Sequence, residues 1–360
     1  MNGDLRELRL RDYRPVPRLV APAHPVERAR FSAVDAHNHL GRWLSEWIGR
    51  PGDWTVPDVG ALLELMDDGN LAAIVNLDGR WGEELEANLD RYDRAHPGRF
   101  ATCCHVDWPA AVASGDLGRA AAASLRASVG AGAGAKGVKI WKDVGLHLRD
   151  DRGELVLADD PRLAPLWETA AELGVPVFIH TADPVAFFDP VDERNERLEQ
   201  LLEHPEWSFA DPSFPSFIRL IEALEDLVAV NPDTTFVGVH FGGYAEDPAF
   251  VGRMLDAYPN YHVDIAARVA ELGRQPRAVR EVILAHPDRV LFGIDEFPPA
   301  HENYAIYLRF LETADEHFPH STEEVPLMGR WAISGLDLPE DVLRQVEGDN
   351  ARRIVPGLAR

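Results

Sequence analysis

Four short apolar segments of this chain each end at a residue type that binds metal ions. The segments cover residues 31–36, 175–179, 235–239 and 290–294, and they are followed by His37 and His39, His180, His240 and Asp295. Apolar runs of this length are typical of strands that are buried on both faces. Because the parallel strands of a barrel end on one rim, we predict that these five side chains meet there.

Eight β-type segments of this kind occur along the chain, and helical patterns fall between most of them. The segments lie near residues 31–36, 71–77, 100–106, 136–141, 175–180, 235–240, 260–265 and 289–294. This alternation predicts an α/β fold, a (β/α)8 TIM barrel over residues 31–360, with an N-terminal arm over residues 1–30 and a long loop between the fifth strand and the fifth helix. A doubly wound open sheet is the alternative.

Capping residues mark the boundaries of several helices. Segments 57–69 and 161–174 carry apolar residues at helical spacing, and each ends in glycine, a typical helix terminator. Asp247 followed by Pro248 predicts a capped helix that runs to about residue 257.

The two ends of the chain have different character. Residues 1–30 are rich in Arg and Pro and lack periodicity, so we expect an arm that lies on the barrel or on a partner subunit, which leaves a homodimer open. Segment 338–346 carries Pro and acidic residues at its start, which predicts a C-terminal helix that closes the barrel and takes no part in the chemistry.

The charge of the chain excludes some partners. Lys and Arg number 36 and Asp and Glu number 60, so the net charge is -24 and a nucleic-acid partner is not expected. No stretch of about 18 apolar residues is present, so we expect no membrane partner, and without an apolar leader the expected compartment is the cytoplasm. Cys103 and Cys104 lie in an apolar run, which is typical of core residues in a reducing compartment.

The motif His37-Asn38-His39 places two imidazoles on the same side of a strand end, where they can share one ion. A lone motif of this kind is weak evidence, and any single histidine could be structural. Together with His180, His240 and Asp295, however, it supplies nitrogen and oxygen donors. That donor set suits one divalent metal ion, zinc first, with manganese or iron as alternatives.

The loop from Thr181 to Pro215 is long and rich in aromatic residues. It begins directly after His180, at the rim where the metal-type residues meet, and we hypothesise that Phe187 and its neighbours form a wall of a substrate pocket. The alternative is a surface excursion that packs against a neighbouring helix.

Three further residues are candidates for contact with a small-molecule substrate. Lys139 and Trp141 lie near the end of the fourth strand, and Arg268 follows the seventh. Lys139 could bind a substrate carboxylate or form an ion pair within the barrel. Packing is the alternative role for Trp141, and a surface ion pair is the alternative for Arg268.

Two other histidines fall within strand segments. His105 ends the third segment, where a hydrogen-bonded barrel histidine is more common than a catalytic one. His262 shares the seventh segment with Asp264, and an internal hydrogen bond would explain it.

Several motifs occur in a fixed order along the chain. They are Val34-Asp35-Ala36-His37-Asn38-His39, Phe178-Ile179-His180, His240-Phe241-Gly242-Gly243, Gly293-Ile294-Asp295, and the tail motifs Gly335-Leu336-Asp337-Leu338-Pro339 and Asn350-Ala351-Arg352-Arg353. In this order they resemble the amidohydrolase superfamily, in the branch that contains aminocarboxymuconate-semialdehyde decarboxylase and γ-resorcylate decarboxylase. The resemblance spans about residues 31–355.

The resemblance implies roles for these residues. His37, His39, His180 and Asp295 would bind the metal, and His240 would be the acid/base or oxyanion-stabilising residue. Elsewhere in the superfamily a lysine on the fourth strand is carboxylated and bridges two metals, which Lys139 could do, although this branch is similar to mononuclear enzymes.

Three classes of function follow from these observations. The first is a metal-dependent hydrolase that uses a metal-activated water on a small polar or carboxylated molecule, with His240 and Asp295 as catalytic residues. The second is a metal-dependent non-oxidative decarboxylase or another lyase on the same scaffold. The third is a non-catalytic barrel, which the complete set of ligand positions makes the weakest.

Overall fold

The computed structural model describes residues 4–130 and 134–359, and its eight strands overlap the eight predicted segments. The strands are β1 (Ala33–Asn38), β2 (Leu71–Asn76), β3 (Phe100–Thr102), β4 (Val138–Ile140), β5 (Val177–Ile179), β6 (Phe236–Gly238), β7 (Tyr261–Asp264) and β8 (Val290–Leu291). Strands β1–β3 pair in parallel, and so do strands β4–β8. The first three residues of the predicted arm and residue 360 lie outside the described residues.

Backbone hydrogen bonds join the two groups of strands into a ring. Between β3 and β4, Cys104 pairs in parallel with Val138, and the carbonyl of Cys104 accepts a bond of 2.8 Å from the N–H of Lys139. Between β8 and β1, the N–H of Ala36 donates to the carbonyl of Phe292 at 2.9 Å. The predicted barrel is therefore confirmed, and an open sheet is excluded.

Helices follow most of the strands. They are α1 (Val59–Gly69), α2 (Gly82–Leu89), α3 (Trp108–Ala113), α4 (Leu117–Val129), α5 (Ala164–Leu173), α6 (Leu198–Glu203), α7 (Phe217–Val230), α8 (Pro248–Ala257), α9 (Val269–Leu272), α10 (Pro276–Ala285), α11 (His301–Glu312), α12 (Glu340–Arg344) and α13 (Asn350–Ile354). Within the described residues, no helix is both long enough and apolar enough to cross a membrane.

The predicted helix boundaries are confirmed where capping chemistry marks them. The side chain of Asp247 accepts the N–H of Phe250 at 3.1 Å and caps α8. Gly174 ends α5 with φ of 63°, a left-handed conformation that glycine adopts at little cost. Asp58 caps α1 by accepting the N–H groups of Gly60 and Ala61.

Alternate strand residues face the two sides of the barrel wall. Ile74, Val138 and Val263 pack in the large cluster that the helices cover. The intervening positions form a separate cluster inside the barrel, which includes Val75 and Cys103. Both cysteines are buried and neither forms a disulfide, as predicted.

The described part of the arm runs along the outside of the barrel. His24 and Asp315 lie 2.6 Å apart between Nδ1 and Oδ1, and Arg330 donates to the carbonyl of Tyr13 at 2.8 Å. Apolar side chains of the arm remain exposed, including Leu5 and Val20. At the other end of the chain, the carbonyl of Val346 accepts the N–H of Phe292 at 3.0 Å, which joins the C-terminal segment to β8.

Two carboxyl groups lie together where the end of the arm meets the C-terminal segment. Glu347 is buried and accepts the N–H of Phe31 at 3.0 Å, and Glu312 accepts the N–H of Arg30 at 3.2 Å. Burial, together with the neighbouring Glu312, raises the pKa of Glu347 from 4.5 to about 8. The folded protein therefore holds a proton here at a pH where the unfolded chain has lost it.

We predict that Glu347→Gln changes the pH dependence of stability. A carboxyl group whose pKa is raised by folding stabilises the fold least at high pH, so the free energy of unfolding of the parent should fall between pH 5 and pH 8 relative to the variant. The expected difference is at least about 1 kcal/mol, since each unit of pKa corresponds to about 1.4 kcal/mol. Urea unfolding at both pH values measures it. The control is Glu340→Gln, because Glu340 also faces Arg30 but is exposed. Equal pH profiles for Glu347→Gln and its parent would contradict the prediction.

Candidate functional site

The five predicted metal-type residues come together on the carboxyl-terminal rim of the strands. One ligand atom each from His37, His240 and Asp295 lies within 4.8 Å of the others. The Nε2 of His39 is 3.1 Å from Oδ1 of Asp295. The ring of His180 lies 4.4 Å from that of His240, between centroids. His240, expected as the acid/base, therefore lies in the tightest group, and His180 lies beside it.

The orientation of His37 is fixed by Asp264, which the sequence analysis did not assign to the site. Nδ1 of His37 donates to Oδ2 of Asp264 at 2.8 Å, which leaves Nε2 to face Asp295. The other carboxylate oxygen of Asp264 accepts the N–H groups of His240 and Ala266. Asp264 therefore bonds to residues of the metal-type cluster, while the internal hydrogen bond expected for His262 is made with the backbone of Phe236. A carboxylate that orients a ligating imidazole is common around metal sites, and its position at a strand end was the available signal.

Two of these residues have unusual backbone conformations. His240 has φ of 60° and Asp295 has φ of 57°, values that cost about 1–3 kcal/mol for residues other than glycine. Hydrogen bonds hold both, since the N–H of His240 bonds to Asp264 and the N–H of Asp295 donates to the carbonyl of His37 at 2.9 Å. Strain of this kind clusters at functional sites.

Burial keeps the imidazoles of the site neutral. It lowers the pKa of His180 to about 4, and it lowers the pKa values of His37, His39 and His240 as well. Burial also acts to raise the pKa of Asp295, but attraction by His37, His39 and Lys139 outweighs it, and the pKa falls below its usual range. Neutral imidazoles and an ionised carboxylate are the forms that bind metal ions.

The donors fit a divalent metal ion. The Nε2 of His37 is buried and has no hydrogen-bond partner among the described residues, and the same holds for both ring nitrogens of His180. Buried polar atoms without partners are rare, and an ion shared between them would satisfy several at once. Nitrogen donors with one carboxylate are the ligand types that zinc, manganese and iron accept.

A small cavity, called here the inner pocket, opens from this cluster. It has a volume of about 180 Å³ and joins an outer cavity of about 670 Å³, with which it shares Asp295. The residues of the inner pocket outside the metal-type cluster are mostly aromatic and cationic: Trp47, Lys139, Trp141, Lys142, Phe187, Arg197, Trp207, Arg268 and Phe297.

The long loop after β5 forms one wall of the inner pocket and also packs on a helix. Phe187 and Trp207 line the pocket, with stacked rings 6.1 Å apart. Phe188 turns away and packs on Phe209 and on Phe217 of α7. Different residues of this loop therefore line the cavity and pack on the helix, and contact of Phe187 with a substrate stays a prediction.

Buried charges that sequence analysis missed anchor the loop. Arg197 forms an ion pair with Glu271 after β7, and each side chain is 1% exposed. Asp183 forms an ion pair with Lys142 and lies 3.5 Å from Nε2 of His180. Of these residues, only Asp183 could have been predicted from the sequence, because it lies three residues after His180. The pair of Arg197 and Glu271 could not, since its two members are far apart in the sequence.

The predicted cations of the site are both buried. The Nζ of Lys139 has no hydrogen-bond partner within the described residues, and its charge interacts with those of Asp295 and Asp264 beyond ion-pair distance, so a direct barrel ion pair is not formed. Burial lowers the pKa of Lys139 to about 8. Arg268 is 7% exposed, which excludes a surface ion pair, and it donates to the carbonyl of Ala267 at 2.8 Å.

Trp141 stands between several rings of the site. Its ring centroid lies 5.1 Å from that of His39, and its Nε1 is 3.2 Å from Nε2 of His105. That Nε2 also lies 2.7 Å from the carbonyl oxygen of Leu77. Because a carbonyl only accepts, His105 is a hydrogen-bonded barrel histidine, as the sequence analysis favoured.

A family model described as Amidohydrolase matches residues 34–357. The chain belongs to this family. Amidohydrolase-family members are metal-dependent, which agrees with the donor set at the strand ends of this member. A comparison with curated protein sequences finds no match.

Solved structures with the same fold include enzymes of different reactions. The 2,6-dihydroxybenzoate decarboxylase from Rhizobium has a TM-score of 0.56 and 18% identity, over 90% of this chain and 98% of that chain. The dihydroxybenzoic acid decarboxylase from Polaromonas, with bound manganese and 2-nitroresorcinol, has a TM-score of 0.55 and 15% identity, over 90% and 96%. The 4-oxalomesaconate hydratase from Rhodopseudomonas palustris has a TM-score of 0.50 and 16% identity, over 90% and 95%. At these identities the likeness establishes the barrel fold of this amidohydrolase-family protein.

We predict that the purified protein binds about one divalent ion per chain. We also predict that Asp264→Asn weakens the binding of this ion by about 10–100-fold, because Asp264 orients His37. Elemental analysis and titration against a chelator measure both quantities. Asp315→Asn, a replacement of another buried carboxylate away from the site, should leave metal affinity unchanged. A protein that stays metal-free in excess zinc and manganese would contradict the first expectation, and two tightly held ions would indicate a carboxylated Lys139.

Proposed function

We propose that this protein is a metal-dependent enzyme that removes carbon dioxide from a small, flat carboxylic acid. The observation that carries the proposal is the inner pocket, where buried cations and aromatic walls surround the metal-type cluster. A pocket of about 180 Å³ suits a small substrate. Aromatic walls favour a flat one, and unpaired buried cations favour an anion.

The substrate carboxylate is proposed to bind Lys139 and Arg268. Arg197 already forms an ion pair with Glu271, so its charge is balanced within the protein. Lys139, in contrast, has no hydrogen-bond acceptor, and the guanidinium of Arg268 bonds to a neutral carbonyl. A carboxylate placed between these two cations would relieve the cost of burying them.

The chain would hold the metal with His37, His39, His180 and Asp295, and zinc is the ion that we propose, with manganese or iron as alternatives. When bound, such an ion supplies a Lewis acid that withdraws charge from substrate oxygens. The protein supplies buried neutral imidazoles and an ionised carboxylate that line one pocket.

His240 is the proposed proton carrier. Its Nδ1 lies 2.9 Å from the carbonyl oxygen of Ala266, which only accepts, so Nδ1 carries a proton and Nε2 presents a lone pair to the site. Nε2 can take a proton from a substrate hydroxyl. When the bond to the carboxylate carbon breaks, the electron pair stays on the substrate carbon, which then takes that proton from Nε2.

The decarboxylases with the same barrel fold are consistent with this chemistry, since two of them act on dihydroxybenzoates. Hydrolysis is the second candidate, because Asp295 is ionised and its side chain is 17% exposed toward the pocket. A carboxylate in that position could accept a proton from water.

We predict that His240→Ala lowers turnover by about 10²–10⁴-fold, the usual size of an acid/base contribution, and leaves the metal bound. Lys139→Met should raise KM for a carboxylated substrate more than it lowers kcat. Steady-state kinetics with elemental analysis measure both effects. If His240→Ala emptied the site, His240 would be a ligand and the proposed roles would be wrong.

Product analysis separates the two reactions. For the decarboxylase we expect release of carbon dioxide from a hydroxylated aromatic acid. The organic product should contain no oxygen from labelled water. Incorporation of labelled oxygen into the product, with no carbon dioxide released, would contradict it and support hydrolysis.

A second mutation tests the wall of the inner pocket. Phe187→Ala should enlarge the pocket and shift KM or substrate preference toward larger acids by about tenfold, which corresponds to about 1.4 kcal/mol. Phe188→Ala is the matched control, because its ring packs on α7 and not on the pocket. Metal content should be unchanged in both variants, and identical substrate profiles would contradict the assignment of Phe187 to the wall.

A further inference from the structure

A second cleft lies beside the inner pocket and, apart from Lys139 and Trp141, consists of residues that the proposed chemistry does not use. It has a volume of about 660 Å³ and is formed by the loops after β1, β2, β3 and β4. Lys139 and Trp141 are the two residues that it shares with the inner pocket. A volume of this size accommodates a ligand of one or two rings.

Indole rings form much of the cleft and hold an arginine. Trp43, Trp81, Trp108 and Trp141 line it. The guanidinium of Arg80 lies 4.7 Å from the ring centroid of Trp43 and 4.1 Å from that of Trp81. Arg80 thus already occupies the aromatic faces that would otherwise attract a cation.

The charges that line the cleft are mainly positive. Arg80, Lys139 and Arg149 face one acid, Asp143. Arg80 forms no ion pair within the described residues, although its charge interacts at longer range with Asp78, Glu84, Asp107 and Asp143. The Nζ of Lys139 is buried without a hydrogen-bond partner. Such a lining attracts an anion, and the planar guanidinium of Arg80 can bind a carboxylate through two parallel N–H groups.

The buried ring of His105 adds a polar feature to the cleft. Its Nε2 lies 2.7 Å from the carbonyl of Leu77 and so carries the proton, while its Nδ1 is buried without a partner. Nδ1 is therefore an acceptor, which suits a hydroxyl group on the ligand.

We propose that this cleft is a binding site for a planar aromatic carboxylate, separate from the metal-type cluster. The ring packs against Trp108 and Trp141, which Arg80 does not cover, and the carboxylate binds the edge of the Arg80 guanidinium. Because Trp141 also contacts His39 in the inner pocket, with ring centroids 5.1 Å apart, an occupant of the cleft borders the active site without contacting Asp295. The proposal concerns binding and does not depend on which reaction the inner pocket performs.

The test measures binding of 2-naphthoate to the full-length, metal-loaded protein by calorimetry and tryptophan fluorescence. Arg80→Met should weaken binding at least tenfold, because a partly buried charge contact is lost. Arg253→Met is the matched control, since Arg253 also covers an aromatic ring, Phe250 at 4.6 Å, but lies outside the cleft. The neutral isostere 2-naphthamide should bind the parent as weakly as 2-naphthoate binds Arg80→Met.

Arg268→Met distinguishes the cleft from the inner pocket, because Arg268 lines the inner pocket and does not line the cleft. Binding that depends on Arg80 and persists in Arg268→Met supports the proposal. Binding that is lost in Arg268→Met, with or without loss in Arg80→Met, assigns the anion to the inner pocket and overturns it, as does an absence of binding to the parent protein. The proposed decarboxylation would survive either failure, since it is measured by carbon dioxide release.

Discussion

The site depends on the hydrogen bonds that close the barrel between its last and first strands. The N–H of Ala36 bonds to the carbonyl of Phe292, and the N–H of Asp295 bonds to the carbonyl of His37. These bonds bring together residues that are more than two hundred positions apart, and they hold Asp295 in its left-handed conformation. Without closure, the carboxylate would lie at one edge of a sheet and His37 at the other.

Burial then determines the electrostatics of the rim. Desolvation lowers the pKa values of the imidazoles and of Lys139, while interactions with His37, His39 and Lys139 keep Asp295 ionised. The rim thus places groups that bind a metal cation next to buried cations that can bind an anion. Such a combination agrees with an enzyme that uses a metal ion, and it supports the proposed carboxylated substrate.

Much of the fold and part of the site could be predicted from the sequence, because local patterns carry them. The strands are short apolar runs, the helices begin at residues such as Asp247, and metal-type residues follow four of the strands. Parallel strands end on one rim, so the neighbourhood of His37, His180, His240 and Asp295 follows from topology alone.

What the sequence determined by itself was therefore the barrel and the identity of the residues on its rim. Only the tertiary structure decided that Asp264 orients His37, that Arg197 and Glu271 pair beneath the long loop, and that Phe187 faces the pocket while Phe188 faces α7. These contacts join residues far apart in the chain, or they depend on the rotation of a loop. The periodicity of apolar residues predicts neither kind of contact, because it indicates which face of an element is buried and not which residues lie opposite that face.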